Sequence, residues 1–172
     1  MTKLIAGHNQ KLMNNHTKPD VRKKECNCQK KAECPLEGKC LVDNIVYQAT
    51  VTEENKQTNV KTSETYVGMT AEFKPRYRNH KKVFENRKYK AETKLSEHIW
   101  EIKDRGNKHS VKWKIVDRGK KYSPVSGICQ LCTKEKYYLI HRPDICTLNE
   151  RNELGSHCRH KLGQLLVKTK LE

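Results

Sequence analysis

Eight cysteines carry the most distinctive chemistry in this 172-residue chain, and they fall into two groups. The first reads Cys26-Asn27-Cys28, followed after five residues by Cys34 and after five more by Cys40. Four soft thiolates packed so closely suit a closed tetrahedral zinc site, although the C-x-C step is shorter than the usual ligand gap. Reduced, unliganded thiols are the alternative. The second group is Cys129-x-x-Cys132, joined later by Cys158 and His160. Together these four predict a second zinc that ties a helix to the carboxy-terminal segment, with His141, Cys146 and His157 as substitute ligands. A redox use of the C-x-x-C is weaker, because no thioredoxin-like β-α-β pattern surrounds it. The pair also reads as two small helix residues facing a core. Disulfides are disfavoured: the start MTKLIAGHNQKLMNNH lacks the apolar run of a secretory signal, which points to a reducing compartment.

These residues need a scaffold, and the hydrophobic pattern predicts one. Residues 1–25 are polar and weakly patterned, so they read as a basic tail or linker. Residues 26–41 form the cysteine knuckle, with Pro35 and Gly38 as turn formers. From 44 to 52, Ile45, Tyr47, Ala49 and Val51 alternate with Val46, Gln48 and Thr50, the period of a half-buried strand. Residues 53–63 read as a hairpin loop and 64–70 as a second strand that closes at Gly68. A helix follows from Ala71 or Pro75 to Phe84, with Arg76, His80 and Phe84 along one side. A charged connector (85–92) leads to a helix over 93–105 that carries Leu95, Ile99 and Ile102 on one face and stops at Gly106. Val111, Trp113 and Ile115 mark a third strand. Residues 128–142 make a last helix ended by Pro143, and 162–172 are a tail. Trp100 and Trp113 read as core anchors. The order β-β-α-α-β-α predicts an α+β domain over 42–161, a small antiparallel three-stranded sheet flanked by helices.

Charge narrows the partner. Lys and Arg number 36 against 20 Asp and Glu, a formal +16. That balance favours a polyanion, without separating DNA, RNA and anionic membrane. No apolar run is long enough for a membrane-spanning helix. Residues 74–94 hold nine basic side chains against Glu85 and Glu92. Of these, Lys74, Arg78, Lys81, Lys82, Arg87 and Lys88 are the expected phosphate-backbone contacts. For any one of them a solvated helix face is the plainer reading.

One resemblance gives the basic surface a purpose. Ile45-Val46-Tyr47 on one strand and Tyr66-Val67-Gly68 on the next resemble the two-part signature of the GIY-YIG endonucleases. Arg76 and His80 follow one helical turn apart, then Glu135 in the late helix, then Asn149, in the order of that family's catalytic set. The blocks CPLEGKC (34–40), YVGMTAEFKPRYRNH (66–80), TKLSEHIW (93–100), CQLCTKEK (129–136), LNERNEL (148–154) and CRHK (158–161) resemble the endonuclease domain of Penelope-like retroelements. Two features depart from the wider family: Ile45 stands at the name-giving glycine, and the interval from Tyr47 to Tyr66 is long.

The resemblance implies a magnesium-dependent DNA endonuclease that nicks target DNA and leaves a 3′ hydroxyl able to prime reverse transcription. It implies Glu135 as the magnesium anchor, a single carboxylate and hence one metal. Arg76 would grip phosphate as a permanently charged fork, and Tyr47 would act as general base. His80 and Tyr66 would orient water or phosphate, and Asn149 would hydrogen-bond near the scissile group. Zinc is the expected structural metal and DNA the expected partner, with a reverse transcriptase domain or its RNA as a further one. The chain would then be a detached module or a fragment of a larger polyprotein. Nuclear residence follows from DNA as substrate and from Arg22-Lys23-Lys24. Taken singly, Tyr47 and Tyr66 are ordinary sheet residues, Arg76 and His80 ordinary helix residues, Glu135 a lysine-paired acid and Asn149 a helix cap. Two other readings stay open: a structure-specific repair nuclease of the same superfamily, and an inactive nucleic-acid-binding zinc protein derived from a retroelement.

Overall fold

Strand β1 (Asp43–Glu54) is the centre of the molecule, flanked by antiparallel β2 (Lys61–Glu72) on one side and antiparallel β3 (Lys108–Arg118) on the other. This computed structural model describes residues 2–17, 25–120, 122, 127–150, 154, 155 and 158. The remaining elements are helices α1 (Thr2–Thr17), α2 (Phe73–Glu85), α3 (Lys94–Asp104) and α4 (Gln130–His141), with 3-10 turns at Lys31–Glu33, Arg87–Glu92 and Pro143–Ile145. The architecture is the α+β arrangement that the pattern predicts.

Alternation along β1 sorts its side chains between two layers. Ile45, Tyr47, Ala49 and Val51 face a core shared with Phe73 of α2, with Leu95, Ile99 and Ile102 of α3, and with Cys34, Leu36 and Cys40 of the knuckle. Val46 and Val67 face the other way and pack with Leu131, Cys132 and Cys146 around α4. Burial on both sides explains why the first half of β1 is closed to solvent at Ile45, Val46 and Tyr47 alike. The β1–β3 register slips between Val46, opposite Asp117, and Tyr47, opposite Ile115, which leaves Val116 as an extra residue. Such a bulge bends a strand and re-aims neighbouring side chains.

Helix α3 matches its sequence closely. Thr93 and Ser96 form a reciprocal capping box, Leu95, Ile99 and Ile102 are fully buried, and Gly106 takes φ +73° just past the end. Other boundaries shift. The first two strands run to Glu54 and from Lys61, so the hairpin loop is shorter than expected. Residues 2–17 form a helix where a tail was expected. Leu4, Ile5, Leu12 and Met13 recur at helical spacing there, a pattern that the polar composition hid. Trp113 is a core anchor, but Trp100 is only half-buried. Its indole donates to the Val83 carbonyl at 3.0 Å, pinning α3 to α2.

The outer edge of β2 does not stay open. Residues 147–149 return to it: Thr65 N–H donates to the Thr147 hydroxyl at 2.8 Å, and Leu148 N–H to the Thr65 carbonyl at 2.9 Å. Asn149 then grips the next backbone unit with both ends of its amide, accepting from Val67 N–H at 2.8 Å and donating to the Val67 carbonyl at 2.9 Å.

Candidate functional site

Tyr47 is the hub. Its ring is enclosed by Phe73, His80 and Trp113, with centroids 5.6, 6.0 and 5.6 Å away. Its hydroxyl lies 2.9 Å from His80 Nε2 and accepts a hydrogen bond from Arg76 Nε at 3.2 Å. Arg76 and His80 stand four residues apart on α2, so both reach the same spot from one helical face.

Space for this contact depends on Gly68, which faces Tyr47 across the β1–β2 ladder. A Cβ at Gly68 would lie 2.6 Å from the Tyr47 hydroxyl oxygen, 2.8 Å from Cζ and 3.1 Å from Cε1 of Tyr66. The glycine is thus the floor on which the two tyrosines meet. Sequence reasoning placed it in a motif without giving it this part, and its position in Tyr66-Val67-Gly68 was the available signal.

Charge at the site is settled by burial and by one another's fields. Burial works against the Arg76 charge, yet the Tyr47 hydroxyl, and then Tyr66 and Glu135, hold its pKa above the ordinary value. Glu135 therefore acts on Arg76 from α4, so β1, β2, α2 and α4 all contribute to one constellation. His80 behaves oppositely. Burial and then the Arg76 charge push its pKa down to about 3, so the imidazole is neutral near pH 7. With Arg76 donating to the phenol oxygen, the Tyr47 proton has a ready acceptor in the lone pair of His80 Nε2.

The buried imidazole has a measurable consequence. An unfolded histidine takes up its proton below about pH 6.5, which His80 in the folded protein does not do until about pH 3. Its folded pKa is depressed, so stability is full above the unfolded value and drains away as pH falls towards the folded one. Urea midpoints at pH 7 and pH 5 should show wild type losing about 2 kcal/mol more than His80→Gln over that interval. An equal loss in both proteins would contradict the assignment of His80 as a buried neutral base.

Asn149 is placed next to this group and is anchored to the backbone of β2. Both ends of its amide are committed to the Val67 backbone between Tyr66 and Gly68. These bonds hold β2, and through it Tyr66 and Gly68 on either side of Val67. Of the expected basic contacts, Arg78, Lys81, Lys82 and Lys88 are exposed on and just after α2. Lys82 and Lys88 flank the ring of Tyr89 at 5.4 and 5.9 Å. Two are otherwise engaged: Arg87 makes a bidentate pair with Asp104 at 2.9 and 3.0 Å, and Lys74 donates to Asn27 of the knuckle.

Both cysteine groups gather. All eight cysteines are free thiols. In the first group Cys26 lies 3.7 Å from Cys34 and 3.6 Å from Cys40, and Cys28 lies 3.6 Å from Cys40, sulfur to sulfur. Four thiolates on a tetrahedral zinc at about 2.3 Å stand about 3.8 Å apart, so the cluster has the right edge length. Backbone N–H groups already point at these sulfurs. Burial opposes the Cys34 thiolate, but amides of Leu36 and Gly38 and the neighbouring thiols bring its pKa down to about 7. Burial pushes Cys40 up to about 12, a cost that a bound cation would remove.

In the second group Cys129, Cys132 and Cys158 lie within 4.8 Å of one another. Burial, then Cys158 and Cys129, raise the Cys132 thiol. His160 and His157 lie outside the described residues. Cys146 packs beside the group, its thiol directed at the Tyr138 carbonyl at 3.6 Å, and His141 closes α4. Both clusters can hold a metal ion such as zinc. Among the described residues no other three His, Cys, Asp or Glu side chains converge. Glu135 belongs to neither group; as a hard carboxylate it is of the chemistry that a magnesium ion takes.

Compared with known proteins, the chain matches no family model, no curated protein and no solved structure.

Proposed function

We propose that this protein is a magnesium-dependent DNA endonuclease of the GIY-YIG kind, nicking target DNA for insertion of a retroelement. The observation that carries the reading is the convergence of Tyr47, Tyr66, Arg76, His80 and Glu135 from four separate elements on one phenol oxygen and its surroundings. The order of these residues, and the blocks that resemble the Penelope-like endonuclease domain, support the choice of substrate.

On this reading Arg76 leaves the Tyr47 hydroxyl for a phosphate oxygen, which its fork of donors suits. That movement opens the phenol to water, which relieves the burial that chiefly holds His80 so weakly basic, and lifts the Arg76 field that adds to it. His80 Nε2 then takes the phenol proton. The phenolate takes a proton from water as the water oxygen attacks phosphorus, the bond to the 3′ oxygen breaks, and the proton held by His80 passes through solvent to complete the 3′ hydroxyl. Magnesium held by Glu135 would neutralise charge on the phosphate and on the departing oxygen. Zinc at Cys26, Cys28, Cys34 and Cys40, and at Cys129, Cys132 and Cys158 with His160, would be structural. A reverse transcriptase or its RNA is the natural partner of the 3′ end so made, and the nucleus the natural place.

Zinc-loaded protein with supercoiled plasmid tests the proposal. Open circles are expected only with magnesium, and Glu135→Gln should slow them by about 10²–10³-fold. Nicking by the variant at the wild-type rate would overturn the assignment. A second reading draws on the complete burial of Tyr47, whose hydroxyl both Arg76 and His80 engage: a zinc protein that binds nucleic acid without turnover. It expects equal DNA binding by both proteins and no open circles.

A further inference from the structure

The two faces of the sheet differ sharply in chemistry. Past the reach of α4, the face opposite Tyr47 carries short hydroxyls and lysines, with one acid, Glu54. The register places Thr50 between Thr65 and Lys112, and Thr52 between Ser63 and Ser110. Gln48, opposite Lys114, marks where cover begins, its amide donating to the Ile145 carbonyl at 3.2 Å. Lys108, Lys112 and Lys114 are exposed, and among the described residues none of them makes an ion pair. Lys61 stands at the far corner, 3.7 Å from Glu54, the sole acid on this open half. Thr52 and Ser63 hydroxyls meet at 3.1 Å across the strands.

We infer that this open face is a second binding surface, which takes the phosphate backbone of duplex DNA. Charge complementarity carries the argument. Along β3 alternate residues are about 7 Å apart and the run from Lys108 to Lys114 spans about 20 Å, the length of about six phosphates of one strand. Lysines supply charge and the hydroxyls supply uncharged hydrogen bonds, the mixture that reads backbone without reading bases. Single strands are bound through aromatic platforms, and every ring of the sheet (Tyr47, Tyr66 and Trp113) lies on the opposite face. The open half carries no apolar side chain that could insert between lipids, and its hydroxyls between the lysines match the hydrogen-bond acceptors of a phosphate backbone. The surface is on the reverse side of the sheet from α2, so one molecule can hold two duplex segments at once. The inference shares with the proposed function only its ligand, DNA.

Bead-bound duplex is loaded with the full chain, without magnesium so that no cutting enters, and challenged with a second, fluorescent duplex. Wild type is expected to retain the second duplex. The variant Lys108→Glu/Lys112→Glu/Lys114→Glu should bind the beads and fail to retain it, and its salt dependence should fall by about three counterions. Retention at wild-type level by that variant, with loss only in Lys81→Glu/Lys82→Glu/Lys88→Glu, overturns the second surface and leaves the nuclease reading standing. Absence of plasmid nicking, with retention still dependent on the β3 lysines, upholds the surface although the nuclease reading fails.

Discussion

If the protein binds and nicks DNA as proposed, Gly68→Ala should leave it folded and DNA-binding but slow its nicking of plasmid about 100-fold or more. The added methyl would sit 2.6 Å from the Tyr47 hydroxyl oxygen, a distance that no carbon tolerates, so Tyr47 must move. It has nowhere ordinary to go, since Phe73, His80 and Trp113 enclose its ring. Its hydroxyl therefore parts from His80 Nε2, from Arg76 Nε or from both. Displacing a reacting group by about 1 Å costs about 10²-fold in rate. Overpacking costs about 1–3 kcal/mol of stability, which plasmid binding and a thermal melt would show to be survivable. Melting and binding near wild type beside unchanged nicking would mean that Tyr47 is not where the chemistry happens. Gly68 makes the sharper test because it has no side chain of its own to lose.

Removing a zinc held by the knuckle, as proposed, should be the most damaging change to the fold. Cys34 and Cys40 are 6% and 1% exposed and belong to the same core as Tyr47 and Phe73. Without a cation their sulfurs must be protonated or crowd one another inside that core. Structural zinc contributes folding energy directly, and a loss of several kcal/mol in a chain of this size lowers the melting temperature by at least about 10 °C. A strong chelator should produce that fall, Cys34→Ser should reproduce it, and the chelator should add little to the variant beyond what the second cluster holds. The Asn27–Lys74 bond joins the knuckle to the first turn of α2, so Arg76 and His80 should lose their footing with it. A melting curve indifferent to chelation, with no zinc found by elemental analysis, would return the four thiols to the status of small core residues.

Patterns of alternation and helical spacing were legible because burial is regular where they occur. Ile45, Tyr47, Ala49 and Val51 do line one side of β1, and Leu95, Ile99 and Ile102 do line one side of α3. Pro143 and Gly106 stop their helices for local reasons that need no partner. What escaped was set by contacts far along the chain. Asn149 has nothing near it in sequence to suggest that its amide would close on Val67. Arg87 looked like its basic neighbours until Asp104 came alongside. Gly68 was visible as a letter in a motif, but the need for its missing side chain arises only when Tyr47 crosses it. The helix over 2–17 went unseen because its apolar residues are few and widely spaced. Tyr47 and the four residues grouped around its phenol, Tyr66, Arg76, His80 and Glu135, were all visible in the sequence, and they come from four elements.

The closure of the β2 edge by residues 147–149 also orders events in time. Val67 and Asn149 are 82 residues apart, and Glu135 belongs to the same late stretch of chain. A ribosome delivers the sheet and α2 well before either, and domains assemble from the amino terminus as they emerge. A nascent chain therefore carries its paired tyrosines and basic helix before it possesses the carboxylate or the staple beside them. On the nuclease reading, a product released short of Asn149 should bind DNA without nicking it, so the proposed activity would appear only once the staple on Val67 has been made.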